Sequence, residues 1–406
     1  MVDRRVAQPI YFTVIILYTI AVLIVLEAVA YAFCRWVGFP SGVIVDRRMP
    51  KISPSLVRKF ADHGYDPELG WIRKPNTSKV DVGKLYHIDH RGSRNNPGHE
   101  HLPLTISTYG DSYTFCRECE DHETWQWHLA DQIKGQVLNF GVGNYGLDQA
   151  LLRLKREYPK SPTPIVVMGI VPETIARILS VWKHYYEHGN LLAFKPRYIL
   201  DGDDLQLIPN YIDKQEKYYR IEEFIDKVRK YDYFYETKFK PEAFCFPYLF
   251  SCLKHYRKII VILLKSIRAV TKRWGLWSPH LDEAIVFLSK SSGAAQSAEL
   301  YQNRDAVALY LSLIDDFVRY SREMGFKPIL AILPMRDDLV YMKQRGHYYE
   351  SFVADTRQRL EVIDLAERML ATPSHDFFFA RWHYNSQGNQ ITAEEIVKAL
   401  SLKQLS

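Results

Sequence analysis

The sequence predicts an α/β fold built on a parallel five-stranded sheet in three layers, with a largely helical insertion and an N-terminal transmembrane helix. Five short apolar strands alternate with helical segments, which is typical of a parallel sheet covered on both faces. The alternation stops over residues 181–308, which indicates an insertion. Residues 9–34 form one long apolar run, which indicates a membrane-spanning helix.

The strands are recognised by short apolar stretches between turn residues. They are predicted at 104–110, 137–143, 163–171, 326–334 and 360–366. Helical spacing of apolar residues predicts helices at 126–134, 147–158, 309–324, 341–359 and 386–402. Gly325 is expected to end the third of these helices, and Ser386 is expected to be the N-cap of the last.

The N-terminus predicts an uncleaved signal anchor. Residues 9–34 carry only one charge, Glu27, and about 20 apolar residues suffice to cross a bilayer. The run is too long for the apolar part of a signal peptide. Glu27 lies toward its C-terminal end, where a charge costs less than at mid-bilayer. Residues 1–8 would be a cytoplasmic tail, although basic residues at both ends leave the orientation undecided by charge.

The rest of the chain divides into four segments. Residues 35–100 predict an N-terminal extension of short strands and turns, because Pro, Gly, Asn and charged residues dominate there. The two parts of the core, 101–180 and 309–406, flank the insertion at 181–308, a candidate substrate-selecting cap. Within the insertion, residues 258–270 are apolar but too short and basic to span a bilayer. We expect a buried helix there, with a helix on the membrane surface as the alternative.

Composition excludes several classes of protein. A net charge of +6 over 406 residues is too small to indicate nucleic-acid binding. The sequence contains no zinc-ligand spacing, phosphate loop or dinucleotide fingerprint. The 27 Tyr residues fit either core packing or a platform for sugar rings. In an oxidising compartment, two close pairs could form disulfides, Cys116 with Cys119 and Cys245 with Cys252.

Candidate catalytic residues follow the predicted strands. Ser112 comes after the first core strand and before a helix, and Gly110 permits a tight backbone there. The Gly-rich turn at 139–146 follows the second strand and would expose backbone N–H donors, which acyl transfer needs. His383 lies in the loop before the last helix, where it could accept the serine proton. Taken singly, the turn could be a plain connection and the histidine a packing residue.

Together these motifs resemble the SGNH/GDSL hydrolase superfamily in order and spacing. The matching residues are Gly110-Asp111-Ser112, the 139–146 turn and His383-x-Asn385-x-x-Gly388. The upstream segments 65–71 and 86–94 are similar to those of membrane-anchored members associated with bacterial surface polysaccharides. The resemblance covers residues 65–180 and 309–400.

The resemblance implies an SGNH/flavodoxin-like sheet and a Ser–His hydrolytic site that uses neither metal nor cofactor. Ser112 and His383 would be catalytic, and the backbone N–H groups of Ser112, Gly143 and Asn144 would form the oxyanion hole. It also implies a single-pass protein of the bacterial inner membrane with an extracytoplasmic domain.

Three positions depart from the family pattern. Asn144 stands where the family usually has a glycine, although its backbone N–H remains as a donor. Glu173 stands near the place where the family has an asparagine after the third strand, and a carboxylate opposes an oxyanion. The family's aspartate shortly before the histidine is also missing, because Ala380 and Arg381 occupy those places. Either the site is a Ser–His dyad, or another carboxylate orients His383; the candidates are Asp376 and Glu173.

Three functions fit the sequence. The first is an esterase acting on O-acyl groups of a cell-surface polysaccharide, and the second is an O-acetyltransferase fed by a membrane acyl-donor protein. The third is a non-catalytic protein of polysaccharide binding or assembly, since a fold alone does not determine activity. Ser112 and His383 favour catalysis, because a binding module would need neither.

Overall fold

The computed structural model describes residues 4–37, 44–46, 49–276, 281, 285, 293–372 and 374–401. The chain forms two compact units. The sheet unit comprises Ile52–Lys183, Leu191–Tyr233 and Ser291–Ser406. The anchor unit comprises Met1–Lys51, His184–Asn190 and Phe234–Lys290. Residues of the predicted 181–308 insertion therefore occur in both units.

The strands form one central sheet and three antiparallel ribbons. The ribbons pair β1 (Tyr65–Asp66) with β2 (Gly70–Trp71), β3 (Thr77–Asp81) with β4 (Lys84–Ile88), and β8 (Arg197–Asp201) with β9 (Asp204–Ile208). The central sheet contains β5 (Leu104–Gly110), β6 (Gln136–Gly141), β7 (Ile165–Ile170), β10 (Lys327–Ile332) and β11 (Glu361–Asp364).

The helices, in chain order, are α1 (Arg4–Val37), α2 (Pro54–His63), α3 (Ser112–Phe115), α4 (Trp125–Ile133), α5 (Leu147–Glu157), α6 (Thr174–Arg177), α7 (Lys183–Tyr186), α8 (Ile225–Tyr231), α9 (Lys240–Glu242), α10 (Tyr248–Lys254), α11 (Tyr256–Arg273), α12 (Gly293–Leu300), α13 (Arg304–Met324), α14 (Arg336–Arg345), α15 (Glu350–Arg357), α16 (Leu365–Leu370) and α17 (Ser386–Ser401). Short 3₁₀ segments occur at Asp121–Glu123, Tyr158–Lys160, Gln215–Glu223 and His375–Phe378, and a π-helical turn at Tyr235–Phe239.

The central sheet confirms the predicted fold class. Its strand order is β11-β10-β7-β5-β6, and all four pairings are parallel. Numbered along the chain, this is the doubly wound order 2-1-3-4-5, which places a switch point between the first and third strands. Gly110 pairs with Gly141 on one side and with Gly169 on the other, so the carboxyl ends of three strands meet at one edge.

Helices cover both faces of this sheet because its strands are buried on both sides. Strand β7 is buried from its second residue onward. Helices α5 and α13 contact each other, as do α4 and α17. Right-handed crossovers on either side of the switch point place these pairs on opposite faces. Helix α13 buries Leu309, Leu313 and Phe317, which recur at helical spacing on its inner face.

Several elements differ from the sequence predictions. The predicted helix at 341–359 is two helices, α14 and α15, because Gly346 ends the first with φ at +86°. Helix α13 starts at Arg304, where the Asn303 side chain accepts a hydrogen bond from Ala306 N. The N-cap of α17 is Asn385, whose side-chain oxygen accepts from Gly388 N, and not Ser386.

The anchor unit is organised around α1. The most apolar 18-residue window of its segment Tyr11–Trp36 has a mean hydropathy of 2.6, and no side chain of that window is buried. Helix α10 contacts α1. The sulfurs of Cys34 and Cys252 lie 3.6 Å apart there, and all five cysteines are free thiols. Neither predicted cysteine pair is therefore a disulfide in this structure.

The expected burial of residues 258–270 was largely wrong. Helix α11 buries only Val261 and Ile262, whereas Leu263, Ile267 and Val270 are exposed among the described residues. The sequence shows an apolar stretch, but it does not show that the surrounding chain leaves most of that stretch uncovered.

Candidate active site

Ser112 is the first residue of α3 and follows the carboxyl end of β5. The short helix approaches the strands closely because glycines line its path. A Cβ on Gly110 would meet Gly169 O at 1.8 Å, and a Cβ on Gly141 would meet Phe115 N at 2.3 Å. Only glycine fits such approaches, so the strand ends hold Ser112 at the sheet edge where doubly wound folds bind ligands. Ser112 is 6% exposed.

Asp111 fixes the backbone on which Ser112 stands. One carboxylate oxygen accepts from Tyr113 N at 2.8 Å and caps α3. The other accepts from Val171 N at 2.9 Å and from an Arg177 guanidinium N–H at 3.2 Å. Burial raises the pKa of Asp111, and Arg177 with the two backbone N–H groups opposes that shift. The carboxylate thus joins the ends of β5 and β7 behind the serine.

His383 faces the serine directly. Its Nε2 lies 3.0 Å from Ser112 Oγ, within the range of a hydrogen bond. The Tyr113 ring packs against the imidazole, with ring centroids 4.9 Å apart. The Tyr113 hydroxyl donates to Trp382 O, so the residue beside Ser112 also holds the loop that carries His383.

A carboxylate that the sequence analysis did not single out lies behind His383. Glu118 Oε1 is 3.4 Å from His383 Nδ1, which is long for a hydrogen bond but close for a charge contact. Catalytic hydrogen bonds are often long before substrate binds. Glu118 Oε2 accepts from the backbone N–H groups of Arg381, Trp382 and His383 at 3.0, 2.9 and 3.4 Å. One side chain therefore fixes both the loop and the imidazole.

The backbone around Glu118 is bent to allow this placement. Cys116 has φ at +58° and Glu118 at +67°, the left-handed region that non-glycine residues seldom occupy. The neighbouring Cys119 thiol donates to Tyr384 O at 3.2 Å. Residues kept in this region are typically held by surrounding contacts at functional sites.

The environment sets the charge states of this pair. Burial alone would raise the pKa of Glu118, but the three loop N–H groups and His383 bring it below its usual value. Burial lowers the pKa of His383 to about 4, an effect that Glu118 opposes and Arg117 reinforces. At neutral pH the imidazole is therefore neutral and the carboxylate is charged. This is the state in which Nε2 can accept a proton from Ser112.

The predicted oxyanion turn lies beside the serine. The Cβ position of Gly143 is 3.9 Å from Ser112 Cβ. Asn144 has φ at +68°, a conformation that asparagine tolerates better than most residues. Among the described residues, no hydrogen bond uses the backbone N–H groups of Gly143 and Asn144. These donors remain available to a developing oxyanion, which is their predicted role.

The extension preceding the core supports this turn. Trp71 donates its indole N–H to Gly143 O at 2.9 Å. The Tyr145 hydroxyl in turn donates to Trp71 O. The Arg73 guanidinium lies over the Phe115 ring, 4.7 Å from its centroid, and one of its nitrogens is 3.9 Å from the Cβ position of Gly143. Trp71 and Arg73 therefore form part of the wall around the candidate site.

The two carboxylates considered from the sequence have different positions. Glu173 lies 2.5 Å from an Arg177 guanidinium nitrogen, and Arg177 also binds Asp111. Arg177 thus offsets the negative charge that would oppose an oxyanion. The side chain of Asp376 lies outside the described residues. In the described part of the chain, Glu118 is the carboxylate that the structure brings to His383.

The sequence contained a signal for Glu118. It belongs to the run Cys116-Arg117-Glu118-Cys119-Glu120-Asp121, which has three carboxylates directly after the helix that begins at Ser112. The cysteine pair is the more conspicuous feature of that run, and the family pattern places its carboxylate just before the histidine instead. Nothing in the spacing alone selects Glu118 over its two acidic neighbours.

Comparisons with known proteins gave solved structures only. No protein-family model matches the sequence, and no curated protein matches it. One similar structure is a lipolytic protein of the G-D-S-L family from Desulfitobacterium hafniense DCB-2, 11% identical, covering 73% of this chain and 99% of that one, with a TM-score of 0.34. Another is the acetyl xylan esterase AlAXEase, 10% identical, covering 73% and 99%, with a TM-score of 0.34.

A third is the lipase/acylhydrolase from Enterococcus faecalis, 13% identical, covering 74% of this chain and 96% of that one, with a TM-score of 0.34. Likenesses at these TM-scores and identities do not determine the activity of this chain. The relationship to known hydrolases rests instead on the strand order of this chain and on the positions of its motifs at the strand ends. In both respects the chain resembles the SGNH/GDSL hydrolases.

Proposed function

We propose that the protein is a serine ester hydrolase with Ser112 as nucleophile and His383 as its base. The observation that carries the proposal is the 3.0 Å distance between Ser112 Oγ and His383 Nε2. Glu118 behind His383 supplies the third group of a triad, because its charge stabilises the imidazolium that forms when the serine is deprotonated.

The arrangement supports an acyl-enzyme mechanism. Ser112 Oγ attacks the ester carbonyl while His383 Nε2 takes the hydroxyl proton. The N–H groups of Ser112, Gly143 and Asn144 stabilise the carbonyl oxygen as it becomes negative. The intermediate collapses, the C–O bond to the alcohol breaks, and His383 returns its proton to the departing oxygen. Water then attacks the acyl-serine with the same base, which releases the acid and restores Ser112.

We further propose that the substrate is an O-acyl ester of a cell-surface carbohydrate and that α1 anchors the enzyme in the bacterial inner membrane. Support for the anchor comes from the length, hydropathy and exposure of Tyr11–Trp36. Support for the substrate comes from the similarity of residues 65–71 and 86–94 to polysaccharide-associated members. Transfer of the acyl group to a sugar hydroxyl would use the same serine and histidine.

The nucleophile is tested by replacing Ser112 in the full-length protein in detergent. We expect Ser112→Ala to lower hydrolysis of p-nitrophenyl acetate by about 10⁴-fold or more and to abolish labelling by a fluorophosphonate probe. Ser55→Ala, which changes an exposed serine of α2, serves as the matched control and should behave as wild type. Labelling that survives Ser112→Ala, or a folded wild type that neither labels nor hydrolyses, would contradict the proposal.

A further inference from the structure

Helix α11 presents a continuous apolar stripe to the outside. The residues at alternating steps of four and three are exposed among the described residues, from Ile260 at 39% to Trp274 at 76%. They are Tyr256, Ile260, Leu263, Ile267, Val270 and Trp274. At about 100° per residue, these six positions lie within a sector of about 80° on one side of the helix. An exposed stripe of this length marks an interaction surface.

The opposite side of the helix is basic. Lys265, Arg268 and Lys272 project from the half of the helix facing away from the stripe. The sequence contains no Asp or Glu from Ala243 to Leu276. An apolar face with Lys and Arg on the other side is the pattern of helices that lie in the plane of a membrane surface.

Contacts within the anchor unit place α10 against the C-terminal half of α1. The Glu27 carboxylate accepts from the backbone N–H groups of Tyr248 and Leu249, the first two residues of α10. Cys34 lies against Cys252 of α10. Helix α11 follows α10 after a single residue. A span that ends at the membrane surface therefore brings α10 and the start of α11 to that surface.

We propose that α11 lies in the lipid interface at the C-terminal end of α1, with the stripe in the acyl region and the basic side toward anionic headgroups. This inference rests on the proposed membrane anchor.

The Glu27 contact gives an independent reason for this arrangement. A carboxylate near the end of a span is tolerated best where it reaches polar partners at the interface. Here the partners are the first two N–H groups of α10, so the charge and the helix end stabilise each other. The same contact fixes the depth of α10 relative to α1.

The test uses the full-length chain in vesicles of phosphatidylethanolamine and phosphatidylglycerol. The photoreactive residue p-benzoylphenylalanine replaces Leu263 or Ile267 of the stripe in separate variants. Lys265 and Lys272, on the other side of α11, are the matched control positions. Leu23 of α1 is the control for the anchor itself. After irradiation, lipid adducts are measured by mass spectrometry, and protein adducts by gel electrophoresis.

We expect lipid adducts from positions 23, 263 and 267, with yields at 263 and 267 at least several-fold above those at 265 and 272. Replacing phosphatidylglycerol with phosphatidylcholine should lower the yields at 263 and 267 and leave position 23 unchanged. This inference would be overturned if position 23 gave lipid adducts but all four α11 positions gave equally low yields. The proposed anchor would then still stand. A crosslinked dimer or partner adduct from 263 would also overturn it. Absence of lipid adducts from position 23 would instead refute the proposed membrane anchor.

Discussion

At the scale of single residues, Glu118 combines two tasks. One oxygen binds three consecutive N–H groups of the His383 loop, and the other faces the imidazole. The first task holds the loop in place and the second sets the tautomer of His383. A carboxylate is needed for the second task because it accepts a hydrogen bond from Nδ1–H. The proton then stays on Nδ1, and Nε2 is free to receive the proton of Ser112.

Glu118→Gln is therefore expected to lower kcat by about 100-fold with little change in folding. The glutamine oxygen can still bind the loop, but its NH₂ group would face Nδ1 and favour the tautomer with the proton on Nε2. Glu173→Gln is the matched control, since Arg177 keeps Asp111 as a partner, and should cost no more than about fivefold. Steady-state kinetics measures kcat for both variants, and an equal loss of kcat in the two would refute the role given to Glu118.

The pH dependence of kcat/KM should report His383. Burial lowers the pKa of this imidazole to about 4, so activity should persist into mild acid and fall as the pH drops through about 4. Glu118 acts in the opposite sense and raises the pKa of His383. Glu118→Gln should consequently move the acidic limb to lower pH. The pH profile of kcat/KM is measured for the wild type and for Glu118→Gln. An acidic limb that moves to higher pH in the variant would contradict the assignment.

The sequence predicted Ser112 and His383 because both follow recognisable positions, a strand end and the loop before the last helix. It did not predict Glu118, which is close in sequence to the serine but meets the histidine only through folding. The left-handed backbone at residues 116 and 118 directs this side chain, and that geometry leaves no periodic pattern in the sequence.

At the scale of elements, the close approach of β5 to β7 beside Ser112 depends on Gly110. Its Cβ would lie 1.8 Å from Gly169 O, and that oxygen belongs to the neighbouring strand and cannot move freely. The strand ends and the nucleophile are therefore positioned by the same backbone contact.

Gly110→Ala should lower the free energy of unfolding by about 3 kcal/mol, because backbone atoms must separate to admit the methyl group. The control is Gly83→Ala in the turn between β3 and β4. Gly83 also has positive φ, but no heavy atom lies within 4 Å of its Cβ position. Only the left-handed conformation is penalised there, by about 1 kcal/mol. Denaturant unfolding measures the free energy of unfolding of both variants, and an equal loss in the two would contradict the steric explanation.

Elements were predicted well where apolar periodicity reports burial, as in the five sheet strands. Prediction failed where the conformation of one residue, or packing by residues distant in sequence, determines the element. The break between α14 and α15 depends on the conformation of Gly346. The ribbon β8–β9 lies in a segment predicted to be mostly helical. Only Tyr198 and Ile208 of its strands are buried, so the strands lack the apolar pattern of the sheet.

At the scale of the whole molecule, α1 and α11 belong to one compact unit although more than two hundred residues separate them in sequence. In our proposal both contact lipid, so loss of α1 alone should not abolish membrane association.

A chain that begins at residue 52 should still sediment with phosphatidylglycerol vesicles, and added salt should weaken this binding because headgroup attraction is screened. The control carries Leu263→Asp and Ile267→Asp in the same chain. It retains the basic residues but loses the apolar stripe, so its binding should be markedly weaker. Equal binding of the two chains would show that charge alone accounts for the association.

The contact between Ser112 and His383 joins residues 271 positions apart, and this has a consequence for the timing of synthesis. At about 5–20 residues per second, the histidine leaves the ribosome roughly 15–55 s after the serine. Throughout that interval the nucleophile has no base and remains an ordinary alcohol. A nascent chain thus has no activated nucleophile, and in our proposal reactivity arises only when His383 has been synthesised and the last helix has folded.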